Sequence, residues 1–250
     1  MLAIVTFVPQ EAGPLLQRFT GRQRIAGVGR PIFSGNLAGI PATLVIAGVG
    51  AANAVRALEA LRGKTTLEAI AICGVAGALD PDLRIGDVVL VSEARDPAGT
   101  APLRPRSVPL PSGLAGVRHA AVISVNHVLI TPEQKRPHAA AGVAVDMETA
   151  ALAAKATELG LPWCALRAIS DAAGDALPLD FNRCLAPGGD IPLAAVLREL
   201  ARRPAALPGM IRLGRATSRA ARRLAEVAVA FLPDWYRSLA LPGGSNGARR

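Results

Sequence analysis

The chain has 250 residues, 51% of them hydrophobic, with a mean hydropathy of +0.34, enough to bury one α/β core. No uninterrupted run approaches the roughly 18 apolar residues of a membrane span, and the N-terminus lacks the basic lead-in of a signal peptide, so a cytoplasmic protein is expected. The net charge of +9 is uneven: residues 198–250 hold 11 arginines and three acids, a net +8, which leaves the rest nearly neutral and suits an anionic surface at that end alone.

In chain order, Leu2 to Val8 is an apolar run closed by Pro9 and reads as a buried strand. Gln10 and Glu11 follow it, then Leu15, Leu16 and Phe19 at helical spacing. Ile32 to Leu37 alternates weakly, and Pro41 to Val49 reads as a strand after a turn containing Gly39. Gly48 to Ala54 passes from strand into a helix that continues to Leu61, and its small residues allow close approach of either a ligand or a neighbouring strand. Ala69 to Cys73 is a central strand, with Gly74 to Leu79 as a small-residue turn at its carboxyl end. Val88 to Ser92 is a further strand. Five prolines between Pro97 and Pro111 make an extended loop, either a flap or a partner-contacting segment. Ala120 to Val125 is a strand, Asn126 to Ile130 its exit, and Pro132 opens a helix. A run ending in Asp146-Met147-Glu148, a helix, a turn at Gly160-Leu161-Pro162 and a run from Trp163 to Ser170-Asp171 form a strand–helix–strand unit, which favours parallel pairing. The alternation predicts an α/β fold around a central mixed, mainly parallel sheet.

Glu11, Glu148 and Asp171 each lie just beyond a predicted strand, where open α/β sheets bind ligands. Converging carboxylates suit glycosidic cleavage: one protonates the leaving group, another activates water or orients the sugar, and their charge steadies an oxocarbenium-like transition state. The structural alternative makes Glu11 a helix N-terminal charge, Glu148 a helix cap and Asp171 a turn cap. His119, His127 and His138 lack metal-ligand spacing, so no metal is expected. Cys73, Cys164 and Cys184 read as buried thiols of a reducing compartment, and no histidine is placed to activate Cys73 as a nucleophile. No phosphate loop, dinucleotide fingerprint or nucleophile elbow is present. Eight aromatics, none interleaved with the arginines, argue against nucleic acid as a partner.

Gly48-Val49-Gly50 with Asn53, Gly74 to Leu79 with Ile85-Gly86-Asp87-Val88-Val89, Val145-Asp146-Met147-Glu148 and Arg167 to Asp171 together resemble the nucleoside phosphorylase/nucleosidase superfamily, over Met1 to about Gly174. The pattern is most similar to the methylthioadenosine/S-adenosylhomocysteine nucleosidases. The resemblance implies a three-layer α/β/α fold and a likeness to dimeric enzymes that use no cofactor. It makes Glu11 the residue that orients or activates water, and Asp171, steadied by Ser170, the donor of a proton to N7 of the departing adenine. Asp146, Met147 and Glu148 would bind the ribose. Gly74, Val75, Ala76 and Gly77 would floor the pocket, with Val128 and Leu129 offering the base backbone hydrogen bonds. Val128 stands where the soluble nucleosidases usually have an aromatic ring. With no arginine seen at the strand-end glycines, hydrolysis is favoured, and phosphate stays open as a co-substrate.

Residues 1–200 are expected to form the catalytic domain, 201–237 a basic helical extension and 238–250 a disordered tail. From Gly209 to Leu232, Arg212, Arg215, Arg219, Arg222, Arg223 and Glu226 share one helical arc opposite Leu213, Leu224, Val227, Ala228, Phe231 and Leu232, with Pro233 as the expected stop. Such a helix either lies in a membrane interface or packs on the domain with a solvated basic face. The arginine-rich tail resembles that of the bacterial hopanoid-associated phosphorylases. This implies a substrate with a large apolar 5′ substituent, adenosylhopane, and peripheral binding to the inner face of the cytoplasmic membrane.

Overall fold

The computed structural model describes residues 1–26, 29–98, 101–105 and 114–239. A nine-stranded mixed sheet runs in the order β2-β3-β4-β1-β5-β8-β7-β6-β9, and β9 also pairs with β5. The strands are β1 (Leu2–Thr6), β2 (Phe19–Ile25), β3 (Ile32–Leu37), β4 (Ile40–Ile46), β5 (Ala69–Ala78), β6 (Val88–Arg95), β7 (Val117–Ser124), β8 (Ala144–Asp146) and β9 (Trp163–Asp171). Because β9 bonds both β6 and β5, strands 5, 8, 7, 6 and 9 close on themselves, and β1 to β4 extend from this closed part as an open wing. The helices are α1 (Pro9–Leu16), α2 (Ala51–Arg62), α3 (Pro132–Lys135), α4 (Thr149–Glu158), α5 (Leu193–Arg202) and α6 (Leu207–Leu239). One buried cluster packs α2 and α4 on the sheet, and another packs α1 and α6 on its other face, giving the three layers. Strands β1 and β9, buried along their whole length, are apolar runs because both faces are covered.

Several expectations change. Phe19 begins β2 rather than ending the first helix; β2 is a polar, largely exposed edge strand, so it lacks a hydrophobic signature. Gly74 to Gly77 is not a turn: β5 runs on to Ala78, because Gly77 and Ala78 pair with β8 while the other edge stays paired with β9. Strands β8 and β9 do not pair with each other. β8 is antiparallel to β5 and parallel to β7, whereas β9 is parallel to β5 and antiparallel to β6, so the crossover spans strands rather than joining neighbours.

The largest change concerns the C-terminal helix. α6 runs through Pro233 to Leu239. The one backbone hydrogen bond a proline removes is outweighed by core packing on either side of it, where Phe231, Leu232 and Trp235 are buried. Leu224, Val227 and Ala228 are buried with them, against α1, β5 and β9. The apolar face of α6 beyond Ala220 therefore completes the domain core, while Arg212, Arg215, Arg219 and Arg222 face solvent. No helix of the described residues is long and apolar enough to cross a membrane. The tail expected to be disordered lies, beyond Leu239, outside the described residues, as do parts of the proline-rich segment.

Candidate active site

Glu11, Glu148 and Asp171, far apart in sequence, line one cavity of about 550 Å³. Local structure places Glu11. Pro9 opens α1 with Val8 as its cap, so the third helical residue can turn back on the preceding amides. Glu11 Oε2 accepts from the Phe7 and Val8 N–H groups at 2.8 and 3.1 Å, while Oε1 accepts from the Val75 N–H at 2.8 Å, tying α1 to β5. Burial raises its pKa, against the pull of these amides and of Arg167.

Glu148 does not cap α4. Asp146 does so, accepting from the Glu148 and Thr149 N–H groups at 3.2 Å each, and Ser124 Oγ accepts from the Ala150 N–H at 2.9 Å. The Glu148 carboxylate is thereby released to reach across to the Gly50 N–H at 2.8 Å. Burial pushes it up to about 7, with Arg167 opposing and Asp146 adding to the rise. Asp171 does not cap a turn either, since Asp175 accepts from the Ala172 N–H. Instead Asp171 Oδ1 accepts from Ser170 Oγ at 2.8 Å, and Oδ2 meets Lys135 Nζ at 2.5 Å.

Three expected binding residues have other partners in the structure. Asp146 is within the cavity wall, but its carboxylate already faces five donors: the two amides, Ser124, Thr149 Oγ1 and Arg167 Nε, the last at 2.7 Å. It positions α4 and keeps no lone pair for a ligand. Val128 lines the cavity, but its N–H donates to Asn182 Oδ1 at 2.8 Å and so is not free for a base, while its C=O accepts from Asn182 Nδ2 at 3.0 Å. Gly74 is not part of the cavity lining; a Cβ there would overlap Arg167 Nη1 and the Phe7 ring, so its role is to admit that pair. Val75, Ala76, Gly77, Leu129, Met147 and Ser170 do line the cavity, and at Gly77 a Cβ would stand 2.9 Å from Asp171 Oδ2.

Two arginines do reach the strand-end glycines. Arg30 lies against Gly48, where a Cβ would be 2.6 Å from Nη2, and is paired with Asp190 at 2.7 Å. Arg167 is fully buried, with its guanidinium 4.6 Å from the centre of the Phe7 ring and Nη2 at 3.5 Å from Glu148 Oε2. Nη2 is the one buried side-chain polar atom among the described residues without a hydrogen bond. Its signal in the sequence was an arginine inside an otherwise apolar strand, since a buried charge needs a reason. Cys73 lies beside Arg167, and burial pushes its thiol up to about 12, so it is not a nucleophile near neutral pH.

The cavity lining also has an apolar part. Leu193 and Val196 from α5 and Met210 and Leu213 from α6 contribute to it, beside Thr217 and Ser218 of α6. The same α5 and the first turns of α6 expose Leu193, Leu197, Leu207 and Ile211, at 71, 54, 48 and 48%. Arg198 and Arg202 of α5, Arg203 just after it, and Arg212 and Arg215 of α6 are exposed.

A 5′-methylthioadenosine/S-adenosylhomocysteine nucleosidase of Tolumonas auensis is 25% identical over 228 residues, covering 80% of this chain and 99% of that protein. One from Geobacillus thermodenitrificans is 27% identical over 209 residues, covering 73 and 89%. Among solved structures, the S. pneumoniae nucleosidase with the transition-state inhibitor MT-ImmA superposes with a TM-score of 0.71 at 21% identity, over 92% of this chain and 97% of that one, which shows the shared fold. The model of the phosphorylase superfamily matches residues 1–125 and 130–183, and this chain belongs to that superfamily.

Proposed function

We propose that the protein cleaves the N-glycosidic bond of an adenine nucleoside carrying a large apolar 5′ substituent, adenosylhopane in the reading favoured here, at an anionic membrane surface. The observation that carries this reading is a single cavity lined both by three carboxylates and by apolar side chains of α5 and α6, two helices that also expose large apolar residues. Asp171 supplies the proton that makes adenine a leaving group, and Glu11 takes one from the attacking water. Glu148 accepts from the ribose hydroxyls beside Met147, and the carboxylates stabilise the developing positive charge on the sugar. The curated relatives, named for 5′-methylthioadenosine and S-adenosylhomocysteine, support adenine as the base and keep methylthioadenosine as the second substrate reading.

Adenine release measured from adenosylhopane in anionic liposomes and from methylthioadenosine in buffer, each with and without phosphate, separates these readings. Release from the lipid substrate alone is expected; release only from methylthioadenosine overturns the lipid reading. The apolar face of α6 beyond Ala220 is buried, so the membrane contact proposed here uses the exposed apolar residues of α5 and the start of α6. Leu197→Ser, Leu207→Ser and Ile211→Ser together are expected to weaken pelleting with anionic liposomes by about tenfold or more, since apolar insertion and attraction of arginines to anionic lipid act together. Unchanged pelleting removes the membrane from the proposal.

The raised pKa of Glu148 gives a pH dependence. Below about 7 its carboxyl is protonated, and above it is a carboxylate able to accept from two hydroxyls. KM is expected to fall as pH rises through 7 and then level off, and Glu148→Gln to flatten that profile. For stability the sign is opposite. A carboxyl raised above its unfolded value favours the fold at low pH, and that contribution is lost as pH rises through 7.

A further inference from the structure

Lys135 is a buried charge that the mechanism above leaves unused. Its side chain is 3% exposed, and its ammonium meets three oxygens: Asp171 Oδ2 at 2.5 Å, the Ala172 carbonyl at 2.7 Å and the Asp175 carbonyl at 3.5 Å. These bonds tie α3 to the segment that follows β9, and they also set an ammonium against the Asp171 carboxylate. The short helix α3 is already closed by Thr131 and Gln134, which satisfy each other's backbone N–H groups. Burying an ammonium is costly unless the site uses it or pairs it closely. Asp171 and Lys135 both face the cavity, in whose wall His127 also stands, and the Asp175 carboxylate turns away to the Ala172 N–H.

The chemistry gives that contact a use. A departing adenine needs a proton at N7, and the Lys135 ammonium is a proton donor in direct hydrogen-bond contact with Asp171 Oδ2. We propose that Lys135 holds the proton for the leaving base and delivers it through Asp171, an inference that rests on the reading of Asp171 as the group facing N7. As the C1′–N bond breaks and its electron pair moves onto the base, one proton leaves Lys135 Nζ for Asp171 and one passes from Asp171 to N7. Asp171 ends as it began, a carboxylate, and Lys135 ends as a neutral amine. The attacking water gives its proton to Glu11, which then releases it to solvent while solvent returns one proton to Lys135, so the cycle balances with adenine and the free sugar as products.

The test uses leaving groups that differ in their need for a proton. Full-length Lys135→Met, Lys135→Arg and Asp171→Asn are assayed for adenine release from methylthioadenosine and from adenosylhopane in liposomes, and for nitrophenol release from 4-nitrophenyl β-riboside, which needs no protonation. Lys135→Met is expected to slow adenine release by roughly 10²-fold or more and nitrophenol release by less than about threefold, which also shows that the variant is folded. Lys135→Arg is expected not to rescue, because a guanidinium keeps its proton. Equal losses on both leaving groups, or rescue by arginine, overturn the proposal by reducing Lys135 to a structural or purely electrostatic role. Asp171→Asn is expected to show the same selective loss. If it does and Lys135→Met does not, only the lysine proposal falls; if it leaves adenine release intact, the reading of Asp171 falls instead.

Discussion

Arg167→Met is expected to cost about 3–5 kcal/mol of stability, the usual penalty for leaving buried carboxylates without their partner. At this chain length, thermal denaturation should then show a fall in midpoint of roughly 6–20 °C. The arginine sits where Asp146 at 2.7 Å and Glu148 at 3.5 Å converge, and it is among the groups that pull Glu11 downward against burial. A methionine fills most of the volume beside Phe7 but supplies no charge. The loss should grow with pH. Arg167 opposes the rise of Glu148 towards 7, so without it the carboxyl is neutral over a wider range and its ionisation costs more above that range. Midpoints at pH 5.5 and pH 8 therefore separate further in the variant than in the parent protein. A midpoint within about 2 °C of the parent at both values would mean that neighbouring groups relax to replace the arginine.

The convergence of Glu11, Glu148 and Asp171 was legible in the sequence because each follows an apolar run, and strand ends in such folds meet on one rim. Less legible was what each carboxylate touches. Whether Glu148 caps its own helix could not be read from its position, since the deciding fact is that Asp146 and Ser124 take the cap, and Ser124 lies 26 residues from the Ala150 amide it serves. Lys135 meets Asp171 across 36 residues and Asn182 meets Val128 across 54. Pairings of this kind are set by strand order, and the order was misread where β8 and β9 were expected to pair. Hydrophobic periodicity also found the apolar arc of α6 without naming its partner. An arc that suits a membrane suits a core equally well, and burial of Trp235 and Phe231 decides for the core. The exposed leucines of α5 have the same kind of spacing but no sheet behind them. β2 escaped notice because an edge strand with Arg22, Gln23 and Arg24 exposed carries little apolar pattern.

Glu11→Gln is expected to lower adenine release by roughly 10²–10⁴-fold, the range set by loss of a general base. The amide cannot reproduce the carboxylate's surroundings. One carboxylate oxygen faces two N–H groups and the other faces one, so an NH₂ on either side opposes a donor. Directing the oxygen to Phe7 and Val8 leaves the new NH₂ against the Val75 amide, at a cost of about 1–3 kcal/mol for an unsatisfied buried group. A thermal midpoint measured alongside the kinetics separates that cost from the chemical one. The same variant distinguishes the acceptors. Water must lose a proton to become a nucleophile and so depends on Glu11, whereas phosphate arrives as an anion and needs no base. If the acceptor is water, added phosphate should leave Glu11→Gln as slow as before. If phosphate restores turnover to within about tenfold of the parent protein, the base assignment falls and the reaction is phosphorolysis, with the arginines at Gly48 and Gly74 the first residues to examine as its anchor.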